Sequence, residues 1–198
     1  QQDDKPLLDP RVCVQPQNHN GGLIVAGSHV QKTSRQLEVL RQNLCLETIV
    51  FDQHQILQGS LMEESERCAR LVNQKLAEGI TVVLQTRRER VDLPQGSAED
   101  QLRLTQSIND QFIRVVEQLN VRPRFMITKG GITSSDCLTR GLRVRREWVS
   151  GQIEPGIGVI RCDRASRFPE LPVVIFPGNV GEDDTLAKIV AKLNTAQA

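Results

Sequence analysis

The chain has 198 residues, 38% apolar and 25% charged, and a net charge of +1. These are the proportions of an ordinary globular domain with one sizeable core or two small ones, and the near-neutral balance supplies no field to gather nucleic acid or an anionic membrane surface. With five Phe, one Trp and no Tyr, a single-strand nucleic-acid groove lacks its stacking platforms, and a bound purine would have to rest mostly on aliphatic side chains.

Residues 1–21 are rich in Gln, Asp, Asn and Pro and end at Gly21-Gly22. They read as a linker or edge segment ahead of a domain spanning 22–198. Leu23–Ala26 is a short apolar run, expected as a buried strand that stops at Gly27-Ser28. Thr33-Ser-Arg-Gln36 reads as a capping box opening a helix, with Leu37, Leu40 and Leu44 on its inner face. Glu47–Phe51 is the next strand. Ser60-Leu-Met-Glu63 is a second capping box, for a helix that buries Cys68, Leu71, Val72 and Leu76 and stops at Gly79. Ile80–Gln85 is a strand, Leu93–Ser97 a polar turn, and Ile108, Phe112, Val115, Val116 and Leu119 mark one face of a long helix.

Arg124–Thr128 is then a strand, followed by Lys129, the pair Gly130-Gly131, and a short helix from Thr133 to about Leu142. The period changes afterwards. Val144–Val149, Gly158–Cys162 and Pro172–Phe176 read as strands, and a closing helix from about Asp183 buries Leu186, Ile189, Val190 and Leu193. Repeated βα units in the first two-thirds predict an α/β fold: a mostly parallel sheet with helices on both faces, and additional strands in the C-terminal third.

Three strand-to-helix turns carry glycine: Gly27-Ser28, Gly130-Gly131 and Pro177-Gly-Asn-Val-Gly181. Glycine lets the backbone approach an anion closely, and amides at a helix start favour negative charge. Ligands of open parallel sheets bind beyond the carboxyl ends of the strands, where these turns lie. Together the turns predict one multi-loop phosphate site. Lys129 stands ready either to neutralise a phosphate or to be a solvated lysine at a strand end. Thr133, Ser134 and Ser135 suit phosphate contact or helix capping. Glu182, Asp183 and Asp184 suit water-mediated Mg²⁺ or, more simply, the helix dipole, which leaves Gly178 and Asn179 as the better phosphate contacts. Arg87-Arg-Glu-Arg90 is interrupted by an acid and the arginines of 140–146 are followed at once by Glu147, and both runs read as solvated surface or a contact with another domain.

Neither GxxxxGK[ST] nor GxGxxG is present, no Ser/His/Asp spacing supports a triad, and the three histidines are too scattered for zinc. Five cysteines without CxxC spacing fit a reducing compartment, with Cys45, Cys68 and Cys162 expected in the core. The chain starts at Gln1, shows no secretory signal and has no apolar run near the ~20 residues of a membrane span. It is expected to be cytoplasmic and a piece of a longer protein.

In order, Gly27-Ser28…Thr33…Gln36, Gly130-Gly131-Ile132-Thr133-Ser134, Gly151-Gln-Ile-Glu-Pro-Gly156 and Pro177-Gly-Asn-Val-Gly181 resemble the C-terminal nucleotide-binding domain of the four-carbon acid sugar kinases, over about Gly22 to Leu193. The resemblance implies an ATP- and Mg²⁺-dependent phosphotransferase acting on an acid such as threonate, erythronate or 3-oxo-tetronate. The acid would be held by an N-terminal domain outside this chain, so the chain alone is expected to be inactive. It also implies ATP contacts at Ser28, Gly130, Gly131, Ile132, Thr133, Gly178 and Asn179. The chain departs from the family pattern at two places. The last loop lacks the lysine of Lys-Ser-Gly-Asn-Phe-Gly, and Lys129 stands before the glycine pair. Two rival readings are a non-catalytic nucleotide- or ligand-binding regulatory module of the same fold, and a dinucleotide-dependent oxidoreductase domain. A homo-oligomer is compatible with the kinase reading.

Overall fold

The computed structural model describes residues 6–93 and 96–196. Seven strands form one sheet: β1 (Leu23–Ala26), β2 (Glu47–Phe51), β3 (Val82–Thr86), β4 (Met126–Lys129), β5 (Glu147–Glu154), β6 (Ile157–Cys162) and β7 (Pro172–Phe176). Their spatial order is β2-β3-β1-β4-β7-β6-β5. The first five in that order are mutually parallel, and β6 and β5 extend the sheet antiparallel. The helices are α1 (Gln31–Asn43), α2 (Leu61–Ala77), α3 (Ala98–Glu117), α4 (Gly131–Asp136) and α5 (Thr185–Thr195). A π-helical turn, Cys137–Gly141, continues α4 directly. This is the α/β architecture expected from the sequence, with the extra strands in the C-terminal third.

All four residues of β1 are buried, as a strand covered on both faces requires. Its side chains alternate. Leu23 and Val25 enter the core under α2 and α3, while Ile24 and Ala26 enter the core under α1 and α5. Phe51 and Phe112 meet edge to face, with ring centroids 5.5 Å apart, and lock α3 over β2. Residues 6–20 run along the sheet edge and the strand N-termini. The Leu8 amide donates to Gln152 O at 2.8 Å and the Gln15 amide to Arg124 O at 2.8 Å, and Cys13 and Val14 are buried.

Several local readings need correction. The first helix begins at Gln31, and no side chain caps it. Thr33 is buried inside it, and the Gln36 amide donates to Val180 O and Glu182 O rather than to its own helix start. Ser60 stands at the start of α2, but its hydroxyl donates to Gln55 Oε1. The chain's one side-chain capping box among the described α-helices is Ser97 with Asp100, at the start of α3. Gly79 does end α2, with φ +78° and its amide on Leu76 O. Helix α4 begins at Gly131, so Thr133 is not its cap. Strand β5 starts at Glu147, three residues later than the apolar pattern suggested, because the Val144 amide is taken by Leu138 O and the Arg145 and Arg146 amides by the Asp163 carboxylate. Of the three cysteines expected inside, Cys68 and Cys162 are buried and Cys45 is exposed. Residues 94 and 95 of the expected polar turn lie outside the described residues.

Candidate functional site

Strands β1 and β4 are neighbours, but the helices that follow them leave on opposite faces. Helix α1 packs against α5, whereas α4 and its π turn lie on the side of α3. The two connections therefore diverge, and a crevice opens between the carboxyl ends of β1 and β4. This is the switch point at which open α/β sheets bind ligands.

The turns on either side of the crevice touch. Gly27 is flanked so closely that a Cβ there would stand 3.0 Å from Thr133 Oγ1 and 3.1 Å from the Phe112 ring. Gly130 has φ +103° and ψ 147°, a conformation open in practice only to glycine, and a Cβ on it would meet Ser28 Cβ at 3.3 Å. Glycine at both positions lets the two backbones approach. The Gly130 amide donates to Phe176 O at 2.9 Å, so it does not face a ligand. Among the described residues the amides of Gly131, Ile132 and Thr133 have no backbone acceptor, as the first turn of a helix dictates. They are the donors this turn offers.

Beside these turns lies a cleft of about 460 Å³, within the size range of small-molecule and cofactor sites. Gly27, Ser28 and Gly130–Thr133 form one wall, and the α3 side chains Leu102, Ile108, Asn109 and Phe112 form the other. Ile132 is 77% exposed and Leu102 57% exposed, so two of the large aliphatic side chains that line the cleft are open to solvent. Asn109 is fixed by donating to Asp136 Oδ2 at 2.7 Å. Of the residues expected as contacts, Ser28, Gly130, Gly131, Ile132 and Thr133 are brought together here. Gly178 and Asn179 do not line the cleft.

A model of the nucleotide-binding C-terminal domain matches residues 23–186. The chain belongs to that family. It is the family the glycine-turn motifs resembled, the C-terminal nucleotide-binding domain of the four-carbon acid sugar kinases. No curated protein sequence matches the chain significantly. Among solved structures, a Salmonella typhimurium LT2 protein labelled a tRNA synthase superposes with a TM-score of 0.63 at 19% identity, over 91% of this chain and 41% of its own. A domain of unknown function from Bordetella bronchiseptica, solved with bound citrate as a domain-swapped dimer, gives 0.64 at 18% identity, over 90% and 42%. At such identities the likeness establishes the fold. The chain spans about two-fifths of the length of these proteins.

In this nucleotide-binding domain the third glycine turn lies on the α1/α5 side of the sheet, where a Cβ on Gly178 would be 4.0 Å from Val30. Lys129 links it to the cleft. The side chain is fully buried rather than solvated. Its Nζ donates to Pro177 O at 2.6 Å and Gly178 O at 3.2 Å, and lies 4.0 Å from the centre of the Phe176 ring. Strand alternation explains the direction: Ile127 enters the α1/α5 core, and Lys129, two residues on, points the same way. Burial, then the charge of Lys32, brings its pKa down to about 8. The aliphatic stem fits an apolar slot, and the ammonium finds carbonyl oxygens at its end.

Other contacts of the domain were not legible in the sequence. Arg88, from the run read as surface, donates to Ser28 O at 2.8 Å and Ser34 Oγ at 2.7 Å, bracing the β1–α1 turn. The acidic run before α5 is engaged elsewhere: Asp184 pairs with Lys188 at 2.7 Å and Asp183 with Arg35 at 3.9 Å. No cluster of His, Cys, Asp or Glu suited to a metal occurs among the described residues, and no helix there is long and apolar enough to cross a membrane. The α3 wall was unrecognised as well. Its amphipathic pattern marked which face is buried, but not that the stretch from Leu102 to Phe112 walls the crevice.

Proposed function

We propose that this domain is the ATP-binding half of a kinase that phosphorylates a four-carbon acid sugar of the threonate, erythronate or 3-oxo-tetronate type, in the cytoplasm. One observation carries the reading: in a nucleotide-binding C-terminal domain, two glycine turns meet at the sheet's switch point beside a cleft with a largely aliphatic wall. The purine would rest between Leu102, Ile108 and Ile132, in keeping with a chain poor in aromatic residues. The phosphates would lie over Ser28 and the first turn of α4, where the Gly131, Ile132 and Thr133 amides and the Thr133 hydroxyl serve as donors.

Mg²⁺ would arrive on the nucleotide, held by phosphate oxygens and water, since no carboxylate cluster lines the cleft among the described residues. The γ-phosphoryl group would pass to a hydroxyl of an acid held by a further domain, which would also supply the base. Catalysis would then be chiefly positioning and charge stabilisation. Titration calorimetry of the chain with Mg·ATP and with adenosine tests the nucleotide half. Heat from both is expected, and none from either at millimolar concentration refutes the reading. Release of ADP with a panel of four-carbon acids, using protein that also carries the upstream domain, tests the transfer. Nucleotide binding without ADP release from any acid would favour the regulatory module.

A further inference from the structure

The segment between β7 and α5 is held in an unusual way. Pro177 O and Gly178 O accept from Lys129 Nζ. Val180 O and Glu182 O accept from the Gln36 amide at 3.1 and 2.8 Å. Gly181 O accepts from Lys32 Nζ at 2.8 Å. Three side chains from α1 and β4 thus hold five carbonyls of one short turn.

The chain has no cis peptide bond among the described residues, and in a trans peptide the N–H points opposite to the C=O. Holding the carbonyls of Pro177 and Gly178 therefore aims the amides of Gly178 and Asn179 away from Lys129, and holding that of Val180 aims the Gly181 amide away from Gln36. None of the three has a backbone acceptor among the described residues. Successive amides presented on one side of a turn form an anion-binding concavity.

Tying carbonyls does not require charge, because Gln36 does it twice on the same segment. Two ammonium groups behind the turn add positive potential, and the nearby carboxylates of Asp183 and Asp184 are paired with Arg35 and Lys188. Lys129 is fully buried and forms no ion pair among the described residues. A buried ammonium without a counter-ion is costly, and an anion in front of the turn would offset that cost.

We propose that Lys129 is a positioning residue. With Lys32 and Gln36 it turns the Pro177–Gly181 segment carbonyls-inward, so that the Gly178 and Asn179 amides receive a phosphoryl oxyanion. Resting on the nucleotide reading above, this assigns the α1/α5 side of the crevice to the terminal phosphate. It also supplies, from β4, the positive charge that the last loop lacks.

The test compares wild type with Lys129→Met, titrating tripolyphosphate, ATP and adenosine. Tripolyphosphate and ATP are expected to weaken about tenfold or more, the scale of a lost charge-assisted contact, with adenosine unchanged. Between about pH 7 and pH 9.5, wild-type affinity for tripolyphosphate should fall as Lys129 deprotonates, and that of the variant should change much less. Lys32 from α1 is the other cation facing this group, and Phe176 of β7 is uncharged. Should Lys129→Met fail to fold, tripolyphosphate must shift the Gly178 and Asn179 amide resonances of wild type. A folded variant that binds tripolyphosphate like wild type, or saturable binding that leaves those resonances unmoved, overturns this inference and leaves the nucleotide reading standing. If wild type binds neither ATP nor adenosine, both fall together.

Discussion

Gly130 and Gly131 are adjacent, yet replacing each by alanine should fail in opposite ways. At Gly130 the backbone sits at φ +103° and ψ 147°, which costs a non-glycine residue about 1–3 kcal/mol, and the new methyl would press on Ser28 Cβ at 3.3 Å. The sum is about 2–4 kcal/mol, a substantial share of the roughly 5–15 kcal/mol that stabilises a domain. For a chain of this size it corresponds to a melting temperature lower by roughly 4–16 °C. At Gly131 the backbone is helical, and a Cβ meets nothing within 4 Å. Gly131→Ala should leave the melting temperature unchanged, or raise it through the lower entropy of the unfolded chain, worth about 0.4–1 kcal/mol. Its methyl would nonetheless project into the space a phosphate must enter to reach the α4 amides. Nucleotide affinity should fall about tenfold, the loss of one good contact to a charged group. Thermal melts and titration calorimetry on the two variants measure both effects. If Gly131→Ala binds ATP as wild type does, phosphate does not approach the backbone at this turn, and the reasoning is wrong.

Phe112→Ala removes a buried ring that packs on Phe51 and walls the cleft. A loss of about 3–5 kcal/mol is expected in urea unfolding. Arg167 donates to Val116 O at 2.8 Å, Gly141 O at 3.1 Å and Leu119 O at 2.5 Å, joining the end of α3 to the π turn. Arg167→Ala should destabilise by about 2–3 kcal/mol, since it orphans several carbonyls. Burial pushes the thiols of Cys13, Cys68 and Cys162 up to about 11, 12 and 12, and Cys137 is raised as well. At about pH 8 a thiol reagent should therefore modify Cys45 alone in the native protein and all five cysteines in denaturant, as mass spectrometry would reveal. Lys129 releases its proton near pH 8 when folded but near 10.4 when unfolded. Between those values the unfolded chain binds more protons, so stability rises with pH, by up to about 3 kcal/mol. Denaturant titrations across that window should show the rise in wild type, and Lys129→Met should lack it.

What the sequence determined was the local grammar. Apolar runs broken by glycine and followed by amphipathic stretches dictate parallel βα units, because hydrophobic period and turn chemistry are properties of neighbouring residues. The glycines of the β1 and β4 turns were legible for the same reason: a chain that passes from strand to helix beside another backbone has little choice of residue there. Only the tertiary structure decided which turns meet. Placing β1 between β3 and β4 depends on how the crossovers pack, and it brings the Gly27-Ser28 turn against the Gly130–Thr133 turn while leaving Gly178 on the α1/α5 side. The direction of Lys129 was hidden likewise. A lysine at a strand end is normally solvated, and it goes inward here because its position in the strand alternation faces α1 and α5 and carbonyl oxygens wait at the end of its reach. Helix starts were misread at Thr33 and Thr133 since their hydroxyl-bearing patterns satisfy the capping rule locally, whereas the sheet fixes where each chain emerges and lets each helix begin two residues earlier.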